Sequence, residues 1–455
     1  MKPAAPHSIL SAADGRSVPL YLVSFDKDGN CTAPQTRDTV LAEAGRGGCT
    51  DIHIYSHGWN NVFQEALEHY TDFFTRYFHL RRQVNLPHDH YRPMLVGILW
   101  PSTAFLSEDE AGPRLAGASA PDMTPAGRDA RFVLKELAEA LEPEDARTLL
   151  SFLGRDERLS HDEALEVARV LLPIFQSEAR DGEGIPQDVV PAKLVKSWEG
   201  TFGRRHDDAN EGRAGVLKDD GPDSFSFRPA RSAGALRFLD PRHILRTATV
   251  YLMKDRAGVV GARGVGPLLA SLLAQSGARV HLAGHSFGAK VMLSALSLAG
   301  HPRRVRSLLL LQPAVNAFCF ARQLQEIGGA DGAYRPVLEK TEMPVFSTFS
   351  LRDVPLSRFF HLALRRDGDI GEIRPAAGPP SLFAALGGYG AGGMPEGESI
   401  TLPIRSAPAR YALDDPAIRL YMLDGSDGAI NGHGDVRNAY TAWAMANLVS
   451  GGDLP

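Results

Sequence analysis

Apolar positions recur along this chain in two patterns. Short runs such as Met94-Leu95-Val96-Gly97-Ile98-Leu99-Trp100, closed by Pro101, and Arg306–Leu311 are almost continuously apolar. That length and composition predict strands buried on both faces. Asp51–Ser56 alternates in character and stops at His57-Gly58, and Val18–Phe25 predicts an edge strand. Val280–Ala283, Val345–Ser350 and Arg419–Leu423 complete the set. Between them the spacing lengthens to three and four. Phe63, Leu67, Tyr70, Phe74 and Tyr77 predict one face of a helix over about 61–80. A Gly-rich segment, 258–266, leads to Pro267, which is tolerated in the first turn of a helix over Leu268–Gln275. Ser286–Leu298 reads as a further helix. Asp435 is expected to cap a last one, with Val436, Tyr440, Trp443 and Ala446 or Asn447 along one side. Strands alternating with helices predict an α/β fold: a mostly parallel central sheet with helices on both faces.

The strands fall into two blocks, 1–102 and 246–455, separated by an insertion over 103–245 that is far longer than an ordinary connection. The insertion has helical patterns of its own. One is Phe132, Leu134, Leu137 and Leu141. Another follows a capping box, Ser160 with Glu163, and continues through Leu165, Ala168, Leu172 and Phe175. It carries 27 acidic against 19 basic residues, so an acidic, mainly helical cap is expected. Both a solvated subdomain and a mobile lid fit that description. The polar stretch 204–231 reads as a loop. A second, smaller insertion over 357–415, with the Gly-rich run Leu386–Gly393, is expected to be a flexible loop.

Composition narrows the function classes. Of the 455 residues, 44% are hydrophobic and 23% charged, with a net charge of −5, enough to bury a sizeable core. No cluster of Lys and Arg marks a nucleic-acid surface. No uncharged apolar run reaches about 18 residues, so no transmembrane segment is expected. Cys31, Cys49 and Cys319 form no CxxC pair, which argues against a zinc site or a disulfide framework. The first residues, Met1–His7, hold no apolar stretch of a secretory signal. The expected compartment is therefore reducing, the cytoplasm by default, with signal-independent export left open. The oligomeric state is not legible.

The chemistry centres on Gly284-His285-Ser286-Phe287-Gly288, a G-x-S-x-G pentapeptide between an apolar strand and a helix. That setting suits a nucleophile elbow, a strained turn whose neighbours must be small; Gly284, Gly288 and Ala289 leave the room. A plain strand–helix turn with a surface serine is the bland alternative. A phosphate loop is excluded, because Gly288-Ala289-Lys290 lacks the G-K-[ST] ending. A serine hydroxyl needs a base. His433, in Gly432-His433-Gly434-Asp435 after the last strand, is preferred to His361, inside a helical-looking run, and to His301, after the wrong strand. Asp353, just past Val345–Ser350, is the expected acid, although it could merely cap a helix near Pro355; Asp427 is the reserve. The backbone N–H groups of Trp59 and Phe287 are the expected oxyanion donors, with His57 and Gly58 supporting the turn that carries Trp59. Gly261–Gly266 lacks dinucleotide-binding spacing and suggests close helix contact. His281 reads as a hydrogen-bonding core residue, and His285 as packing under the oxyanion loop.

The order Ser286, Asp353, His433, the elbow after a strand, and His57-Gly58-Trp59 together resemble the α/β-hydrolase superfamily. His57-Gly58-Trp59-Asn60 followed by Trp100-Pro101-Ser102 is similar to a group of bacterial lipase-like hydrolases. The resemblance covers both blocks but not the insertion. It implies an eight-stranded sheet and hydrolysis through an acyl-enzyme. The expected substrate is a small-molecule ester or lipid with an apolar acyl group, and no cofactor or metal is expected. An interfacial lipase or phospholipase, an amidase or peptidase, and a non-catalytic hydrolase-like binding protein remain the alternatives.

Overall fold

A computed structural model describes residues 4–12, 15–59, 63–84, 86, 90–102, 137–153, 159–177, 190–202, 241–298, 300–325, 328–359 and 384–451. Its strands are β1 (Ser8–Ser11), β2 (Ser17–Ser24), β3 (Asp51–Ser56), β4 (Pro93–Leu99), β5 (Arg279–His285), β6 (Ser307–Leu311), β7 (Val345–Phe349), β8 (Ser399–Pro403) and β9 (Leu420–Asp424). They form one sheet in the order β1-β2-β4-β3-β5-β6-β7-β9-β8. Only β1, against β2, pairs antiparallel.

Alternation along each strand builds the two faces. In β6, Leu308 and Leu310 join one core cluster while Leu309 and Leu311 join the other. The first cluster is closed by α1 (Pro34–Gly45), α6 (Pro241–Val259), α7 (Gly266–Gln275) and α8 (Phe287–Leu298). The second is closed by α2 (Phe63–Gln83) and α9 (Ala439–Ser450). Three further helices, α3 (Pro143–Leu153), α4 (His161–Ser177) and α5 (Pro191–Phe202), share a third cluster with Ile244, Ala248 and Tyr251 of α6. The expected capping box opens α4: Ser160 N–H donates to Glu163 Oε2 (2.8 Å), and Glu163 N–H donates to Ser160 Oγ (3.3 Å). The expectations for Phe132, Leu134 and 204–231 lie outside the described residues.

Several expectations need correcting. Val18–Phe25 is not an edge; the short antiparallel β1 covers β2 on that side. The far edge is β8, inside the stretch expected to be a loop, so the sheet has nine strands. The Gly-rich run beyond residue 385 is likewise wound and packed: Leu386–Tyr389 forms one helical turn with Leu386, Gly387 and Gly388 buried. Phe63 is exposed rather than on the buried face of α2. The last helix starts at Ala439 and is capped by Asn438, whose side chain accepts from Tyr440 N–H and Thr441 N–H, not by Asp435. A lone acidic residue ahead of apolar spacing does not reveal which of several polar residues has the extended backbone that a cap needs.

The Gly-rich segment 258–266 is helical and makes the close helix contact expected of Gly261–Gly266. It continues α6 as a π-wound turn, Val260–Val265, straight into α7. Pro267 cannot donate to the previous turn and would crowd an α-helical carbonyl four residues back, so a local widening accommodates it. Glycine allows this segment to touch α8 directly: a Cβ on Gly261 would sit 2.4 Å from the carbonyl oxygen of Val291 and 2.8 Å from Cβ of Ser294. Among the described residues one helical run, Ala248–Gln275, is long and apolar enough by composition to cross a membrane, but most of it is buried in the fold and Met253, Ala257, Val260, Val265, Leu268 and Leu269 belong to the core. Gly261→Ala is expected to push α8 away and destabilise the protein by about 1–3 kcal/mol, read as a lower urea midpoint at unchanged m-value.

Candidate active site

The chain runs from β3 to β4 on one side and returns to β5 on the other, so the strand order reverses between β3 and β5. The crevice outside the carboxyl ends of strands at such a point is where open α/β sheets bind ligands. Ser286 stands there, between the last residue of β5 and the first of α8. Its φ is 55°, a left-handed conformation that costs a non-glycine residue about 1–3 kcal/mol. Main-chain bonds hold it. Ser286 N–H donates to Leu311 O (3.0 Å), and Ser286 O accepts from Ala289 N–H (3.1 Å) and Ala314 N–H (3.2 Å). Gly284 and Gly288 are small by necessity: a Cβ on the first would meet Gly288 O at 2.4 Å, and on the second Ser56 O at 2.2 Å.

His433 lies in the loop after β9. Its Nε2 is 2.8 Å from Ser286 Oγ and its Nδ1 2.8 Å from Asp353 Oδ2. The carboxylate can only accept, so Nδ1 carries the proton and the serine hydroxyl donates to Nε2. Asp353 is fully buried just beyond β7. While Oδ2 faces His433, Oδ1 accepts Leu356 N–H at 3.0 Å and caps the turn beginning at Pro355. Asp427 is exposed. His301 Nε2 meets Ala295 O on α8 (3.1 Å), and His361 lies outside the described residues.

Gln312 was not anticipated. It follows β6 with φ 43°, and its Nε2 donates to the same Asp353 Oδ2 (2.9 Å) and to Gly387 O (3.1 Å). Thr348 Oγ1 donates to its Oε1 at 3.0 Å. The available signal was a polar residue closing an apolar strand immediately before Pro313.

The His57-Gly58-Trp59 turn lies against the serine. A Cβ on Gly58 would be 2.8 Å from Ser286 Cβ. His57 is structural, as expected: Nδ1–H donates to Gly58 O (2.9 Å), Trp100 Nε1–H donates to His57 O (3.1 Å), and the His57 and Trp100 rings stack at 5.6 Å. Burial pushes the His57 imidazole down to about 4. Phe287 begins α8, so its N–H has no carbonyl one turn back in the helix to donate to. The Trp59 and Phe287 rings stand 6.4 Å apart, and Trp59 packs against both the first core cluster and the cluster of α3–α5. His285 lies beneath Gly58, and its Nε2 reaches the main-chain oxygen of His433 at 2.8 Å.

A second Ser–His–Asp set lies at the opposite end of the sheet. His281 Nδ1 meets Ser307 Oγ at 2.8 Å and its Nε2 meets Asp51 Oδ1 at 2.9 Å. All three are fully buried, and Ser307 is an ordinary strand residue at the start of β6 with no elbow. This set closes polar groups at the amino edge of the sheet, as expected for His281. Among the described residues no group of His, Cys, Asp or Glu is placed to hold a metal ion. No family model, curated protein or solved structure matches the chain.

Burial holds His53 and His285 well below the ordinary histidine range, as it does His57. These rings bind protons more weakly in the fold than in the unfolded chain, so unfolding takes up protons as pH falls. Their stabilisation is complete above about pH 6.5, the ordinary value, and for His57 is lost towards about 4, a change of roughly 3 kcal/mol. The thermal midpoint is therefore expected to be flat from pH 7 to 8 and to drop steadily below 6.5; a midpoint unchanged down to pH 4.5 would refute this.

Proposed function

We propose that the chain is a serine hydrolase of the α/β-hydrolase type that cleaves a carboxylic ester through an acyl-enzyme on Ser286. One observation carries the reading: Ser286, His433 and Asp353, spread over the second block of the sequence, meet in a relay of two 2.8 Å contacts at a strained strand–helix turn. In this mechanism Ser286 Oγ attacks the ester carbonyl carbon while His433 Nε2 takes its proton. Asp353 holds the imidazole in the tautomer with Nδ1–H and stabilises the imidazolium that forms. The developing oxyanion is received by the N–H of Phe287, assisted by the amino end of α8, and by the N–H of Trp59; losing such a donor costs about 3 kcal/mol. His433 then protonates the departing alkoxide. Water, deprotonated by His433, attacks the acyl-serine and releases the acid.

The rings of Trp59 and Phe287 favour an apolar acyl group. Helices α3–α5 form a cap in this reading, contributing the apolar surface that Trp59 touches. The resemblance to lipase-like hydrolases extends to the two ends of the buried His57–Trp100 contact.

A p-nitrophenyl ester series of increasing chain length, run on wild type, Ser286→Ala, His433→Ala and Asp353→Asn, tests the proposal. Ser286→Ala and His433→Ala are expected to lose at least about 1,000-fold in kcat, with fluorophosphonate labelling abolished in Ser286→Ala. Unchanged turnover or labelling in Ser286→Ala would overturn it. Gln312→Leu leaves Asp353 with fewer donors and is expected to lower kcat about 10-fold at similar KM, checked on the same ester.

A further inference from the structure

His285 is buried at the end of β5, one residue before Ser286. Its ring centre is 4.9 Å from that of His433 and is stacked 5.7 Å from that of His69 on α2. A Cβ on Gly58 would lie 3.2 Å from its Nδ1. Its Nε2 faces the carbonyl oxygen of His433, which can only accept, so the proton is on Nε2. Burial first, and then the charge that His433 would carry, keep this imidazole well below the ordinary range. The ring is thus a neutral single donor.

The segment it reaches is anchored on the β7 side, where Ser350 Oγ donates to Ile430 O (2.8 Å) and Arg352 donates to Asn431 Oδ1 (3.1 Å). His433 stands between Gly432 and Gly434, and a Cβ on either glycine would meet nothing within 4 Å. Asp435 N–H to Gly432 O (3.1 Å) and Asn431 N–H to Asp435 Oδ2 (3.0 Å) close the turn on itself without tying it to Ser286. The bond from His285 does tie it, because His285 and Ser286 are consecutive. We propose that His285 is a positioning residue: its Nε2–H anchors the main chain of His433 to the nucleophile turn and so keeps His433 Nε2 at reacting distance from Ser286 Oγ. This role rests on the hydrolase reading above.

The test exploits the geometry of the bond. A glutamine amide nitrogen reaches about as far as histidine Nε2, an asparagine amide only about as far as Nδ1, and leucine donates nothing. On one p-nitrophenyl ester, His285→Asn and His285→Leu are expected to lower kcat about 10- to 100-fold with KM within about twofold, while His285→Gln stays within about threefold of wild type. Fluorophosphonate labelling rates of the folded protein should follow the same order. If His285→Leu does not fold, the Gln and Asn variants decide the matter between them. A loss common to Gln and Asn that follows their melting temperatures, or one confined to KM, overturns the positioning role. An active, labelled wild type with equal kcat in the Gln and Asn variants sinks this inference alone. A wild type that neither turns over esters nor reacts with the probe sinks the hydrolase reading and this role with it.

Discussion

The left-handed backbone at Ser286 is the constraint on which the rest of the site depends. A side chain resists that conformation, so the turn survives only where neighbours over-determine it. Here the neighbours are main chain: Leu311 at the end of β6, Ala289 in α8 and Ala314 all bond to the serine's own peptide groups. Glycines at 284, 288 and 58 let β3, β5 and α8 close to distances no Cβ would permit. The same closeness brings the turn after β3 onto Ser286. Strand order, glycine placement and the buried serine are therefore one arrangement. A sheet with these strands in another order would not bring Ser56 and Gly288 into contact.

Much of this was legible in the sequence, and the parts that were not share physical causes. Strands with near-continuous apolar runs, such as 306–311, declared themselves because burial on both faces leaves no polar alternation to confuse the pattern. Ser286, His433 and Asp353 could be named together because each follows a recognisable strand, and the fold brings them within hydrogen-bond reach of one another. β1 and β8 were missed because both are edge strands, short and half solvated; Ser399–Pro403 alternates weakly and ends in proline. The cap of α9 went to the wrong residue because Asp435, Asn438 and Thr441 all suit the task by type, and only backbone angles separate them. The glycines of 261–266 suggested close helix contact, which is found against α8; the π-winding itself was not legible, because nothing local to those glycines distinguishes it from a break between helices.

Gln312 illustrates a different limit. Its amide joins Asp353 and Thr348 from one stretch and Gly387 from another, and nothing local to Gln312 names those partners. Polar residues that act by supporting another group become visible only when the fold brings their partners together. The same holds for the two Ser–His–Asp sets. Composition does not tell them apart; position along the strands does. One opens at the carboxyl ends where loops diverge, and the other is sealed among strands at the amino ends.

Trp59 lies between the sheet's core and the cluster formed by α3, α4, α5 and the start of α6. The inserted helices are thus not an appendage that could be exchanged at will. Trimming them would strip one side of an indole whose turn lies against Ser286, and would uncover Ile244, Ala248 and Tyr251 of a helical rod that continues into α7. Anyone redesigning this protein would have to treat the insertion and the Trp59 turn as a single unit, changing both together or neither.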